Sequence, residues 1–295
     1  MRTIQALTLS ICILTVGCAG TGETIDFHTR SRTMTADGRV EILEETLRWP
    51  CDETAIIICD MWDDHWCAGA ARRVGELAGP LNAMLESARG RGIFIIHAPS
   101  SVVDFYEGST QRERARTAAF APTPVPLSQA ERWGTTWCWP DPTREPGMPI
   151  DDSDMGCDCS PECEIRDAWS RQIAIIRIHA DDAVTDDAQE TQNLLAGRGI
   201  DKVILVGVHL NMCVLGRPFG IRQMVNMEKK VLLMRDMTDT MYDHRMRPFV
   251  DHFTGTDLVV AHVEQHWCAS VLSTDLTGEP AFRFAEDGRQ EQSKR

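Results

Sequence analysis

The chain has 295 residues, 43% of them apolar, and a formal net charge of −14. That apolar share is ample for a packed core without a covalent staple. The charge argues against nucleic acid and against a polybasic membrane surface, and says little about a small substrate.

Residues 1–18 hold Arg2, an apolar run from Ile4 to Val16, and Thr15-Val16-Gly17-Cys18. A short apolar stretch ending in small residues before a cysteine has the shape of a lipoprotein-type signal peptide, not of a membrane span. Cys18 would then be the lipidated N-terminus of a protein exported to the bacterial periplasm or cell envelope, and its only tie to a membrane. An ordinary cleaved signal and a buried N-terminal helix are the alternatives. Residues 19–45 are polar with little periodicity and read as a tether and extended lead-in. One α/β domain is expected over 46–275, followed by a polar surface tail over 276–295.

Ala55-Ile56-Ile57-Ile58-Cys59 is a continuous apolar run closed by Asp60. It reads as a strand buried on both faces. From Ala70 onward, Val74, Leu77, Leu81, Met84 and Leu85 fall on one helical face, and Pro80 predicts a kink or two joined helices. Gly90-Arg91-Gly92 ends that helix, and Ile93 to His97 is a second buried strand. Strand, helix, strand is the repeating unit of a parallel sheet.

The pattern lapses over about 100–171, a stretch rich in Pro that holds Trp133, Trp137, Trp139 and Trp169. A structureless loop of this length is suspect unless it is functional or cross-linked. It is expected to be an insertion folded over the rim of the site. Its cysteines, Cys138, Cys157, Cys159 and Cys163, could form two disulfides or bind zinc through four thiolates. The expected oxidising compartment favours disulfides, and the Cys-x-Cys-x-x-x-Cys spacing is not the usual Cys-x-x-Cys knuckle. With Cys12 and Cys18 set aside, nine cysteines remain of the eleven. An odd count leaves one thiol unpaired, with Cys213 the first candidate and Cys59 the next.

Gln172 to His179 reads as a third strand, and Asp181 to Asp187 as a polar turn opening a helix. That helix turns Thr191, Leu194 and Leu195 inward and ends at Gly197-Arg198-Gly199. Val203 to Val208 is the central strand, and a helix begins near Cys213. Lys230 to Asp236 is a fifth strand and Ser270 to Ser273 a sixth. Between them Leu258, Val259, His262 and Val263 give a last helix its buried stripe, with Thr256 as a cap.

A cysteine opening a helix just past a buried strand sits where backbone N–H groups and the helix dipole stabilise a thiolate. Open α/β sheets also place their ligands at the carboxyl ends of strands. The plainer alternative is a small buried hydrophobe. Gly207-Val208-His209-Leu210-Asn211-Met212-Cys213-Val214, taken with Ala55-Ile56-Ile57-Ile58-Cys59-Asp60-Met61-Trp62-Asp63, resembles the isochorismatase-like cysteine hydrolases, the family that includes nicotinamidases. The resemblance spans roughly residues 50–275. The segment running on to Leu215-Gly216-Arg217-Pro218-Phe219 is similar to an exported, large-insert group within that family.

The resemblance implies a three-layer α/β/α Rossmann-like parallel sheet of about six strands with helices on both faces. It implies a hydrolase that cleaves a C–N (amide) bond of a small molecule through a thioester, with no cofactor. Members that cleave a vinyl ether carry Gly where Cys213 stands. Cys213 would be the nucleophile, and Asp60 the base and then the acid. The Val208–His209 peptide would be cis, and the amides near Met212 and Cys213 would hold the oxyanion. Val208, His209, Met212 and Trp62 are thus expected around the substrate, with Trp66, Phe105 and Tyr106 as further walls. The family's lysine, which closes the third strand, has no counterpart in Arg177-Ile178-His179-Ala180. Arg177 or His179 could supply the charge, although only the histidine could also move a proton. Some members bind a metal through one Asp and two His, for which Asp63, His65 and His97 are candidates here. Satisfied side chains are the safer reading of those three, and no metal is expected among the site residues. Assembly into homo-oligomers is a family tendency. Two rival readings are a non-catalytic binding or structural lipoprotein, and a zinc protein centred on Cys138, Cys157, Cys159 and Cys163.

Overall fold

The computed structural model describes residues 22–289. The expected signal segment, with Cys12 and Cys18, lies outside them. No helix among the described residues is long and apolar enough to cross a membrane.

Two strands form where a tether was expected. β1 (Thr24–Met34) and β2 (Val40–Pro50) pair antiparallel along their whole length. The signal for β1 is its alternation: Ile25, Phe27 and Thr29 are buried while their neighbours face solvent. Charged residues between them hide that alternation in a composition-based reading. β3 (Thr54–Cys59) follows, then α1 (Ala68–Gly90), which runs unbroken past Pro80 with Leu77 and Leu81 both buried. Of the two expected outcomes at Pro80, two separate helices do not form: the helix is continuous, and the buried stripe on either side of the proline stays on one face. β4 (Phe94–Ala98) completes the first crossover.

Regular structure is then sparse: α2 (Thr110–Arg116) and a small hairpin of β5 (Ala130–Arg132) and β6 (Thr135–Trp137). The expected strand over 172–179 is not formed. A turn joins Ile173 to Ile176, Ile176 drops into the core, and Ile175 stays 49% exposed. An apolar run made its turn invisible, since period alone cannot separate a strand from an anchored loop. The sheet edge is closed instead by the two-residue β7 (Ala183–Val184), parallel to β4.

α3 (Ala188–Gly197) starts at Asp187, whose side chain accepts from the Glu190 N–H. β8 (Lys202–Val208), α4 (Ile221–Asn226), β9 (Lys230–Asp239), α5 (His252–His266), β10 (Ala269–Val271) and α6 (Thr274–Thr277) finish the chain. α5 begins earlier than expected, capped by Asp251, so Thr256 lies inside it. The sheet order is β2-β1-β10-β9-β8-β3-β4-β7, with the six strands from β10 to β7 parallel and the first hairpin antiparallel at one edge.

Strand alternation sorts side chains into two cores. Ile56 and Ile58 face α1, while Ala55, Ile57 and Cys59 face the layer of α3, α4 and α5. The result is a three-layer α/β/α sandwich, as expected. Residues beyond 276 are not wholly a surface tail: Phe284 is nearly buried and stacks on Phe253 at 5.5 Å.

Candidate active site

β3 and β8 are neighbours in register, with Cys59 opposite Gly207. A Cβ at Gly207 would lie 2.0 Å from the Cys59 carbonyl oxygen, and its φ of 99° also requires glycine. This close approach brings Asp60, one residue past β3, beside the turn that leaves β8. Asp60 has a φ of 46°, a region costly for a non-glycine residue and concentrated at functional sites. The Val208–His209 peptide is cis, and residues Leu210–Val214 form one wide helical turn. Asn211 fixes that turn: its Oδ1 accepts from the Met241 N–H at 2.9 Å, and its Nδ2 donates to Met241 O and Asp152 Oδ2.

Asp60 is wholly buried. Its Oδ1 accepts from the Ser100 N–H at 2.7 Å, which leaves Oδ2 without a hydrogen bond of ordinary geometry. Arg217 Nε stands 3.5 Å from that Oδ2, and the Cys213 thiol faces both groups. Desolvation raises the Asp60 pKa, with Arg217 opposing the rise. Burial pushes the Cys213 thiol up, and the Asp60 charge pushes it further. Burial works against the Arg217 charge as well, but the thiol and the carboxylate outweigh it and its pKa rises. The three groups hold one fixed positive charge and one negative charge that a single proton can move between sulfur and oxygen.

Arg217 is the cation that sequence reasoning placed elsewhere. Arg177 is exposed, and its backbone is held by Asn82 and Arg89. His179 pairs with Glu86 at 2.9 Å on the outer side of α1. Neither lines the cavity that holds Cys213. Arg217 reaches the site because it follows Cys213 by four residues on the same turn, its N–H bonded to the Cys213 carbonyl. That spacing was the available signal. The insertion holds the guanidinium from outside: Trp137 lies under it at 4.5 Å, and Thr135 accepts from Nη1. Gly216 lets the two segments meet, since a Cβ there would lie 2.8 Å from the Trp137 ring.

Above the thiol opens a cavity of about 820 Å³. Trp62, Trp66, His65, His209, Met212 and Trp169 are among its walls. Trp62 stacks on Trp169 at 4.3 Å and donates its ring N–H to the Ser100 carbonyl. Val208 is buried in the sheet and packs away from the cavity in the α1-side core. Phe105 is 56% exposed, and the Tyr106 hydroxyl accepts from the Gln172 N–H, so neither is part of the wall. The Met212 N–H is already donated to the His209 carbonyl at 3.0 Å. His209 is buried with Nε2 unpartnered, and burial holds its pKa well below the usual histidine value.

The three residues weighed as metal ligands do not converge. His97 is fully buried between Gln172 and Asp182, Asp63 is engaged by Ser170, and His65 Nδ1 accepts from the Cys67 N–H. The nine described cysteines are all free thiols, contrary to the two disulfides expected of the insertion. Cys138 lies apart from the other three, beside Asn226.

No family model matches the chain, and no curated protein does. Among solved structures it is similar to a cysteine hydrolase from Pseudomonas syringae pv. phaseolicola, at 16% identity over 79% of this chain and 95% of that one, with a TM-score of 0.48. It is also similar to an isochorismatase from Pseudomonas putida, at 11% identity over 77% and 92% of the two chains, with a TM-score of 0.44. An N-carbamoylsarcosine amidase from Thermoplasma acidophilum matches at 13% identity over 75% and 96%, with a TM-score of 0.40.

Proposed function

We propose that this chain is a cysteine hydrolase of the isochorismatase-like kind, cleaving the C–N bond of a small amide through a thioester on Cys213. The observation that carries the reading is the buried Asp60 carboxylate. Its Oδ2, free of ordinary hydrogen bonds, stands 3.5 Å from Arg217 Nε, and both groups act on the Cys213 thiol under one cavity.

The reaction follows from that set. Asp60 accepts the thiol proton as sulfur bonds to the carbonyl carbon. Arg217 neutralises the charge on whichever of the two groups lacks the proton, and, always charged itself, it carries none. The proton on Asp60 then passes to the amide nitrogen as the C–N bond breaks. Water, deprotonated by Asp60, attacks the thioester, and the acid leaves as Cys213 recovers its proton. The tryptophan walls suit a flat, apolar acyl group, and the unpartnered Nε2 of His209 offers one polar contact.

The test is a panel of small aromatic and aliphatic amides, read by amine release and by the intact mass of quenched enzyme. Release of amine together with an acyl adduct on Cys213 is expected. Ligand binding with neither adduct nor turnover would move the chain to the non-catalytic class. The same reading keeps the protein in the cell envelope on a lipid at Cys18, for which the mass of the mature N-terminus is the check.

A further inference from the structure

Four cysteine sulfurs that the proposed reaction does not use stand together beside the cavity. Cys67 caps the N-terminus of α1, and Cys157, Cys159 and Cys163 come from one loop of the insertion. Their Sγ atoms all lie within 4.8 Å of one another. The distance from Cys67 Sγ to Cys159 Sγ is 3.8 Å. A disulfide would bring two sulfurs to about 2.05 Å. Four sulfurs placed tetrahedrally at about 2.3 Å from a common ion stand about 3.8 Å apart.

We propose that Cys67, Cys157, Cys159 and Cys163 bind one structural zinc ion that fastens the insertion to the first turn of α1. An all-sulfur donor set excludes hard cations such as calcium and magnesium, and four protein ligands leave no open position for catalysis. The surroundings supply what thiolates need. The Ala68 and Gly69 N–H groups, at the open start of a long helix, donate to Cys163 Sγ at 3.4 Å and Cys159 Sγ at 3.2 Å. Arg245 donates to the carbonyls of Cys157 and Cys159, and Asp158 between them is held by buried Arg73 at 2.7 Å. The loop is thus set by contacts outside the sulfurs. Cys67 and Cys157 are buried while Cys159 and Cys163 reach solvent, which gives an ion its way in.

The site has a structural consequence for the cavity. Cys67 follows Trp66, and Cys163 precedes Ile165 and Trp169, so the clamp joins two segments that both line the cavity. This inference stands whether or not the chain hydrolyses amides.

The experiment is metal analysis of the full-length protein purified without added reductant or chelator, with thiol counting by mass spectrometry. One zinc per chain is expected, with four fewer thiols open to alkylation until a chelator is added. Cobalt substitution should give the intense visible bands of a tetrahedral tetrathiolate. Cys163→Ser should lower the zinc content severalfold, whereas Cys138→Ser should leave it at one. Chelation of the wild-type protein should open residues 139–171 to proteolysis. A wild-type protein free of metal, with these thiols reactive or joined as disulfides, would overturn the proposal, and so would iron in place of zinc.

Discussion

In the sheet, Ala55, Ile56, Ile57, Ile58 and Cys59 are each 1% exposed or less, and every second one faces the same layer. In residues 99–182, by contrast, regular structure is confined to two short helical segments and a hairpin of three-residue strands. Both regions build one cavity, and they contribute different things. The sheet pairs Cys59 with Gly207, which sets Asp60 beside the turn that carries Cys213. The insertion supplies Trp169 as wall and Trp137 and Thr135 as the outer hold on Arg217. On the proposed reading the reacting atoms sit on the sheet side, and the walls that would meet the substrate come in part from the insertion.

Substitutions on the two sides should separate by size and kind. On the proposed reading Cys213→Ala removes the nucleophile while leaving the fold, and amide turnover should fall on the order of 10⁴-fold or more. Initial rates with the best amide of the panel, beside an unchanged circular dichroism spectrum, check this. Asp60→Asn keeps the shape and the hydrogen bond from Ser100 but takes no proton. It should cost about 10² to 10⁴ in kcat, and it should alter the pH dependence of Cys213 alkylation.

Arg217→Ala strips the buried carboxylate of its charge partner. A loss of about 3 kcal/mol in urea unfolding is expected, together with an Asp60 pKa raised further. Arg217→Lys should recover part of both. If neither variant changes stability, the pairing at 3.5 Å carries no weight.

His209 gives a pH effect that belongs to the sheet side. Burial holds it neutral, with its pKa well below the ordinary 6.5. Below that ordinary value the unfolded chain binds a proton that the folded chain refuses. Its contribution to stability is therefore complete above about pH 6.5 and lost as the pH falls, by up to about 1.4 kcal/mol per pH unit. His209→Gln should flatten the slope of unfolding free energy between pH 6.5 and 5. An unchanged slope would mean that the ring takes up a proton in the folded state.

The smallest effect should come from the insertion wall. Trp169→Ala removes the ring stacked on Trp62, a contact of about 1 kcal/mol beyond its area. KM for an aromatic amide should rise severalfold with kcat nearly unchanged. A larger loss in kcat than in KM would show that the insertion also shapes the reacting centre.

What the sequence by itself determined is what a local period can encode. The buried strands β3, β4, β8, β9 and β10, the first βαβ unit, the helix stripes on α1 and α3, and the placing of Asp60 at a strand end and of Cys213 just past one were legible. They depend on neighbours two to four residues away, and on a rule about where sheets bind ligands. The first hairpin was missed because charged residues mask the alternation of Ile25, Phe27 and Thr29.

Only the tertiary structure decided the rest. Arg177 and His179 were plausible cations as long as 172–179 was taken for a strand. Once Ile176 anchors a turn instead, both fall outside the cavity, and Arg217 is the positive charge beside the thiol. The sequence grouped Cys138 with Cys157, Cys159 and Cys163 and did not point to Cys67, since proximity across about 90 residues leaves no trace in spacing. Packing of the insertion against the start of α1 chose Cys67, because contacts between distant segments are set by closure of the whole chain and not by any stretch of it.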